Sequence, residues 1–315
     1  MKYYLGIDVG GSFIKYGVID EKGNIISKGK SSTQRMNPEA VLNDLAQIIL
    51  SEKKGRTLSG VGISLPGVIN KENQLLTSGA IEKLFQYDVR RILTEKTELT
   101  ILLVNDAKAI SFGEKWLGAG KNHLNFVCLP LGTGVGGSIV INGQVYQGRT
   151  GAAGEFGMML MGLGNTEPVG YESASFYCGS IAALCRIYNK KIGNKSFDEW
   201  EKDVSHILFL EKNGNQEAQD SVKEFYQNVA VLLLNISVSI DPEIILVGGG
   251  ISENTEIMTG INQAFVSLTQ RYSEISALGS PKIKPCALGN DAGMLGAVSK
   301  LIEGEKNDEK YGKIY

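Results

Sequence analysis

The sequence predicts an α/β protein of two lobes, each a mixed sheet flanked by helices, with a cleft between them. Three observations carry this expectation. Strand-like and helix-like stretches alternate along most of the chain, as they do where sheets are covered by helices. A strand–glycine turn–strand unit occurs twice, in YYLGIDVGGSFIKYGVID from Tyr3 and in NFVCLPLGTGVGGSIVINGQVY from Asn125; both copies contain VGGS, at Val9 to Ser12 and at Val135 to Ser138. Finally, 315 residues with 43% hydrophobic content can fill two cores.

Taken in order, the first hairpin turns at Gly10 and Gly11, DEKGN (20–24) is the next polar turn, and IISKGKSS reads as a third strand. In NPEAVLNDLAQIILSEKKG, Pro38 stands at a helix start, Val41, Leu42, Leu45, Ile48 and Ile49 follow at helical spacing, and Gly55 ends the run. LSGVGISLPGVIN is a buried strand entering a Pro66-Gly67 turn, YDVRRILTEKT a helix, LTILLVNDA a second buried strand and AKAISFGEKWLGAG a further helix. The first lobe is expected over 1–115, with the division inside that last helix near residue 115. The second lobe, 116–289, repeats the plan. It holds the 125–146 hairpin, where Asn142-Gly143 is a two-residue turn signal, then a glycine-rich segment (148–170) and helices over roughly 175–189, 196–211 and 215–240. PEIILVGGGIS is a strand entering a glycine turn, and the closing helix within NDAGMLGAVSKLIEG, taken over residues 290–303, is expected to rejoin the first lobe. The polar tail EKNDEKYGKIY is expected to fray.

Composition excludes several classes of partner. With 32 Lys+Arg against 34 Asp+Glu and no basic stripe, a nucleic-acid partner is not expected. No apolar run approaches the roughly 20 residues that span a bilayer, and Asp8 with its glycine turn interrupts any signal-peptide core. The four cysteines (Cys128, Cys178, Cys185, Cys286) form no C-x-x-C pair and read as reduced thiols of a cytoplasmic protein.

The glycine turns carry chemistry. Glycine lets another group approach the backbone closely, and successive N–H groups pointing into one turn form an anion nest suited to phosphate. One glycine hairpin alone would mean little; two matched turns plus Gly248 to Gly250 after a buried strand mean more. Residues 132–137, GTGVGG, also match G-x-G-x-x-G, but a dinucleotide fingerprint must open a helix. Here it opens SIVINGQVY, which alternates like a strand, so that reading fails. Asp8, at a strand end beside a phosphate nest, would be repelled unless a cation lay between them; Mg²⁺, which prefers oxygen ligands and keeps several waters, fits. Its structural alternative is a turn-capping acid. Asp106 ends the strand TILLVN and precedes a helix, so it is either an N-cap, the general preference for Asp there, or a carboxylate placed to accept a hydroxyl proton in phosphoryl transfer.

Taken together, GIDVGGSFIKYGVID, GISLPGVIN, NDAKAISFGE, LGTGVGGSIVINGQVYQG, GAAGEFGMM, DPEIILVGGGIS and LGNDAGMLGA resemble, in the same order, the motifs of the ROK family (repressors, ORFs and kinases of sugars), a branch of the actin-like ATPase superfamily. The resemblance covers nearly the whole chain. It implies an actin-like ATPase (ribonuclease H-like) fold with the active site in the cleft, and an ATP- and Mg²⁺-dependent sugar kinase that works as a homodimer. ATP phosphates would be held by Gly10, Gly11 and Ser12 and by Gly132, Thr133, Gly134 and Gly136, with Gly248, Gly249 and Gly250 against the nucleotide. Asp8 would hold Mg²⁺ through water and Asp106 would be the base. Pro66, Gly67, Asn105 and Glu155 would face the sugar.

The chain departs from that pattern in three places. The family's E-x-G-H reads Glu155-Phe156-Gly157-Met158, and its zinc-binding C-x-C-G-x-x-G-C run is absent: MGLGNTEPVGYESASFYCGS supplies one cysteine where three are needed. His123 and His206 have no cysteine neighbours, and Cys178 and Cys185 suit packing better than Zn²⁺, which wants about four ligands. No zinc is therefore expected. The family's Asn after its PG segment has no counterpart in TSGAIEKLF, and its second sugar-site glutamate matches Glu172 only by loose spacing. These departures leave nucleotide chemistry intact and put the sugar in question. A glucose-like hexose phosphorylated on its 6-hydroxyl is the leading expectation, with lobes closing on the sugar to exclude water; a β-glucoside or an amino sugar (N-acylmannosamine, N-acetylglucosamine) is the alternative. The alternative of another class is a non-catalytic sugar-sensing regulator lacking a DNA-binding module; the family's repressors carry a helix-turn-helix ahead of the first hairpin, whereas here the first strand is expected near residue 3. An actin-like ATPase with a protein client does not account for the ND and GEFG motifs.

Overall fold

The computed structural model describes residues 1–311, in which the chain forms two compact units: residues 1–124, 138–153 and 287 onward, and residues 125–137 with 154–286. In the first unit β1 (Tyr3–Val9), β2 (Phe13–Asp20) and β3 (Ile25–Ser32) run antiparallel, while β4 (Gly60–Leu65) and β5 (Ile101–Asn105) run parallel to β1. The sheet order is β3-β2-β1-β4-β5. β1 and β4 read as nearly unbroken apolar runs because both their faces are covered. On one face α1 (Pro38–Gly55) and α2 (Val89–Thr97) pack Leu45, Ile49 and Leu93 against Leu5, Ile7 and Ile63. On the other, the C-terminal helix α10 (Ala292–Tyr311) packs Met294, Leu295, Val298 and Leu301 with Tyr4 and Ile19. Asn37 caps α1 by accepting from the Ala40 amide at 3.0 Å, with Pro38 in the first turn.

The helix α3 (Asp106–Trp116) follows β5 directly. The sequence placed the division within it, near residue 115, whereas the contacts place it after Leu124. The reason lies in Glu114. Its fully buried carboxylate accepts from the amides of Ala119 at 2.7 Å and Leu288 at 2.9 Å, tying the chain beyond α3, and the approach to α10, into the same unit.

The second sheet contains β6 (Phe126–Pro130), β7 (Ser138–Ile141), β8 (Gln144–Val145), β9 (Ile244–Gly248) and β10 (Lys282–Pro285) in the order β10-β9-β6-β7-β8. From its other end, β8-β7-β6-β9-β10 repeats the order of the first sheet. The duplication that the two VGGS hairpins announced is thus a duplication of topology. Asn142 (φ 51°) and Gly143 (φ 75°) make the turn between β7 and β8, both left-handed as a tight hairpin of this kind requires.

Helices in the second unit differ from expectation at two points. Residues 175–189 are not one helix: α4 (Ala174–Cys178) stops at an extended Gly179, a π-helical turn covers Ser180–Cys185, and α5 (Arg186–Lys191) follows. A side chain on Gly179 would run into the Thr133 carbonyl, so the break seats this backbone against the glycine turn. Over 196–211 only a 3-10 turn (Phe197–Glu199) and α6 (Val204–Lys212) form. The buried Asn189 side chain bonds both the carbonyl and the amide of Glu201 at 2.8 Å, which keeps the intervening chain out of a helix. α7 (Gln216–Ile240) is as expected. α8 (Thr255–Thr269), α9 (Ser273–Leu278) and β10 were not anticipated, although Ile257, Met258, Ile261 and Phe265 after the Asn254 cap are helically spaced. The tail expected to fray continues α10 through Tyr311; its last four residues lie outside the described residues. Among the described residues no helix is long and apolar enough to cross a membrane.

Candidate active site

In the first unit, Asp8 stands one residue before the end of β1, in register with Lys15 on β2 and Ser64 on β4. The Ser64 hydroxyl donates to Asp8 Oδ1 at 2.7 Å. On the α10 side Gly293 leaves the carboxylate its space, since a Cβ there would run into it. Burial pushes the Asp8 carboxyl up from its ordinary value; the Ser64 hydrogen bond and the charge of Lys15 oppose that shift without cancelling it. A carboxylate whose negative charge is under-compensated fits a hard divalent cation with retained waters, so the residues present suit Mg²⁺. Past Val9 the chain leaves the ladder, and Gly11 and Ser12 form a bend whose amides the β1–β2 pairing does not use. The Gly10 amide donates to the Phe13 carbonyl at 2.9 Å and its carbonyl accepts from the Thr33 hydroxyl at 2.8 Å, which fixes the turn.

At the β5–α3 junction the cap differs from what the sequence suggested. Asn105, not Asp106, is the N-cap: its backbone is still extended (φ −60°, ψ 142°) and its Oδ1 accepts from the Lys108 amide at 3.0 Å. Asn and Asp cap about equally well, and the residue still outside the helical conformation takes the role. Asp106 is the first helical residue, half-buried, with Oδ1 accepting from Asn105 Nδ2 at 3.0 Å and from the Ala107 amide at 2.8 Å. Asn105 Nδ2 also donates to the Gly67 carbonyl at 2.8 Å, so Pro66-Gly67, Asn105 and Asp106 are brought together. Gly67 has φ 107°, and a side chain on it would strike the Thr77 carbonyl; only glycine fits this turn. Asn73 belongs to none of the sequence motifs. From a left-handed hairpin position it donates to the Leu103 carbonyl at 2.7 Å and accepts from the Leu103 amide at 3.0 Å, tying the 68–76 hairpin to β5.

The second unit brings the other two glycine turns side by side. Leu131 and Val135 bridge across the Gly132-Thr133-Gly134 turn, where the Gly132 amide donates to the Gly134 carbonyl at 2.9 Å. The Gly136 amide donates to the Pro130 carbonyl at 3.0 Å, and the Leu131 amide donates to the Gly248 carbonyl at 2.9 Å. Gly249 (φ 84°) lies so close to the Leu131 carbonyl that a side chain would collide with it, whereas Gly132 and Gly250 face open space. Ser175, absent from the sequence-predicted set, receives the Val135 amide at 3.1 Å and braces the turn. GTGVGG opens the strand β7 and not a helix, in line with the rejection of a dinucleotide fold.

Glu155 precedes a 3-10 turn (Phe156–Met158) and is half-buried, while Met158, in the place of the family's histidine, is 71% exposed. A side chain on Gly157 would strike the Val135 carbonyl and the Ser175 hydroxyl, so the GEFG segment rests directly on the phosphate-type turn. Glu172 is buried and its two oxygens accept the amides of Gly164 and Thr166, each at 2.6 Å. Hydrogen bonds from Thr166 and Gly164 hold its carboxyl below the usual range. The carboxylate thus closes the 161–166 loop. Burial pushes the Cys178 thiol up to about 12 and that of Cys185 to about 11, as an apolar setting does to a thiol.

Two sheets of like order, with glycine turns at the strand ends and an acid beside the first of them, define the actin-like ATPase (ribonuclease H-like) fold. Residues 4–303 match the sequence profile of the ROK family, and the chain belongs to that family. It is 29% identical over 311 residues to a beta-glucoside kinase of Listeria monocytogenes, covering 96% of this chain and 98% of that one. A ROK family protein of Streptococcus pneumoniae in complex with sucrose superposes with a TM-score of 0.84 at 28% identity, over 97% of this chain and 99% of that one. A ROK family glucokinase of Streptomyces griseus in complex with glucose and AMPPNP gives a TM-score of 0.78 at 26% identity, over 95% and 98% of the two chains.

Proposed function

We propose that this enzyme, a phosphotransferase acting on a hydroxyl group, transfers the γ-phosphate of ATP to the 6-hydroxyl of a glucose-like hexose in the cytoplasm. The observation that carries the reading is the β5–α3 junction. Because Asn105 caps the helix, Asp106 is relieved of that task, and its carboxylate is oriented by the Asn105 amide at a strand's end beside the Pro66-Gly67 turn. A carboxylate so held can take the proton of a sugar hydroxyl as its oxygen bonds to the γ-phosphorus and ADP departs. Asn105 acts chiefly through Asp106, since both its amide hydrogens are committed. Pro66, Gly67, Glu155 and Glu172 are the sugar-facing set, with Glu172 also shaping its loop.

The backbone of Gly10, Gly11 and Ser12, of Gly132, Thr133, Gly134 and Gly136, and of Gly248 to Gly250 supplies anion nests for the nucleotide. Asp8 would hold Mg²⁺ through water; the ion supplies charge neutralisation of the phosphates when bound. One cysteine where the family's run has three, Met158 in place of its histidine and the carboxylate-closed 161–166 loop support an enzyme without zinc.

Met158 favours a second acceptor. An exposed, flexible thioether in place of an imidazole can adapt to a larger group on the sugar, which suits a β-glucoside, the acceptor named for the Listeria monocytogenes relative. The test is ATP-dependent ADP release against hexoses, amino sugars and β-glucosides. Turnover on glucose or a β-glucoside is the expected result; no turnover on any sugar, with ATP and sugar both bound, refutes the reading.

A further inference from the structure

Lys108 is 2% exposed, yet it lies in the first turn of α3, two residues past Asp106. That is an unfavourable place for an ammonium twice over: burial strips its water, and a helix N-terminus carries positive partial charge. A sequence keeps such a group where something depends on it. The Lys108 backbone amide donates to Asn105 Oδ1 at 3.0 Å and so holds the cap that orients Asp106. Its side-chain Nζ donates to the Gly151 carbonyl. Gly151 is itself locked: it has φ 90°, and a side chain would collide with the Ile69 carbonyl, two residues beyond Gly67. The segment around it is a closed loop, with Gly148 at φ 71° and the Ala153 amide donating to the Gln147 carbonyl at 3.3 Å, and it leads in sequence to Glu155 four residues later.

We propose that Lys108 is a positioning residue for the sugar acceptor. By its amide and its ammonium it ties the Asn105–Asp106 junction to the 147–153 loop and, through Gly151, to the segment after Pro66-Gly67. It sets the register of three acceptor-facing pieces within the first unit and leaves the nucleotide turns of the second unit untouched. The inference rests on the acceptor reading of Asp106 given above.

The test compares Lys108→Met, which keeps length and removes the charge and donor, with Lys108→Arg, which keeps a donor on a longer arm. Asp106→Asn runs in the same series. Lys108→Met is expected to raise the sugar KM, and to weaken sugar binding in calorimetry without nucleotide, by about 10- to 100-fold, the scale of a small misplacement of a reacting group. ADP affinity should stay at the parent value and Lys108→Arg should recover part of the loss. If Lys108→Met does not fold, judged by circular dichroism, Lys108→Arg carries the test, with a smaller rise in sugar KM and unchanged ADP affinity. Parent-like sugar binding in the folded variant, or loss of sugar and ADP affinity in equal measure, overturns the proposal. An active Asp106→Asn would instead overturn the acceptor reading; an inactive Asp106→Asn beside a parent-like Lys108→Met removes only the role of Lys108.

Discussion

Replacing Asp106 by Asn separates the two roles the residue could have, because the structure predicts that only one of them suffers. Asn105 is the cap, so capping is unaffected. The amide oxygen that the substitution introduces can still accept from Asn105 Nδ2 and from the Ala107 amide, which now lie 3.0 and 2.8 Å from Asp106 Oδ1. What folding loses is one negative charge in the first helical turn, about 0.3–1 kcal/mol. What catalysis loses is a general base, about 10²- to 10⁴-fold in rate, or about 3–5 kcal/mol of barrier at 1.36 kcal/mol per tenfold. The barrier effect exceeds the stability effect several-fold, so the variant should fold with a near-parent thermal midpoint, bind sugar and ADP, and fail to turn over. The assay is coupled ADP release, with calorimetry for each ligand and a melt for the fold. Turnover within a few-fold of the parent would falsify the base assignment; a large fall in the melting midpoint would mean that the carboxylate serves the fold instead.

Four further outcomes are expected. Asp8→Ala should raise the Mg²⁺ concentration needed for turnover and depress the rate while leaving sugar affinity in the absence of nucleotide unchanged; a large loss in that titration would put Asp8 on the acceptor side. Gly67→Ala, forced to a left-handed φ against the Thr77 carbonyl, should cost about 1–3 kcal/mol of stability and raise the sugar KM through the displaced Asn105 bond; an unchanged melt would show that the turn relaxes freely. Glu172, whose folded-state carboxyl is held below its ordinary value, contributes stability that is full above the unfolded pKa of about 4.3 and is lost as pH falls through the lower folded value. The gap in melting midpoint between the parent and Glu172→Gln should therefore narrow from about pH 5 toward about pH 3, and a constant gap would contradict the hydrogen-bonded loop closure. Elemental analysis should find no stoichiometric zinc, and EDTA should leave the melt unchanged; about one zinc per chain, on the scale of a structural site, would reverse that expectation.

Local chemistry, which a sequence displays, determined most of the parts. Apolar runs ending in acid or glycine became β1, β4, β5, β6 and β9, and Pro38 with its helically spaced apolar residues became α1. The two VGGS hairpins foretold a repeated sheet order, because like sequences make like strand–turn–strand units. Each of the three glycine turns follows the strand that the sequence put before it. Tertiary structure decided what depends on partners distant in the chain. That Asn105 rather than Asp106 caps α3 follows from Asn105 still being extended at the end of β5, where its side chain also donates to the Gly67 carbonyl, 38 residues away. The break at Gly179 follows from the Thr133 carbonyl, and the non-helical 200–203 stretch from Asn189, so local helix propensity over 175–189 and 196–211 was overridden by packing and by a buried amide. Ser175 and Asn73 lie in none of the motifs, and Lys108, although inside NDAKAISFGE, was given no role by it; each acquires its role only when folding brings a backbone amide or carbonyl some 30 to 43 residues distant within hydrogen-bonding reach, a separation that no local pattern encodes.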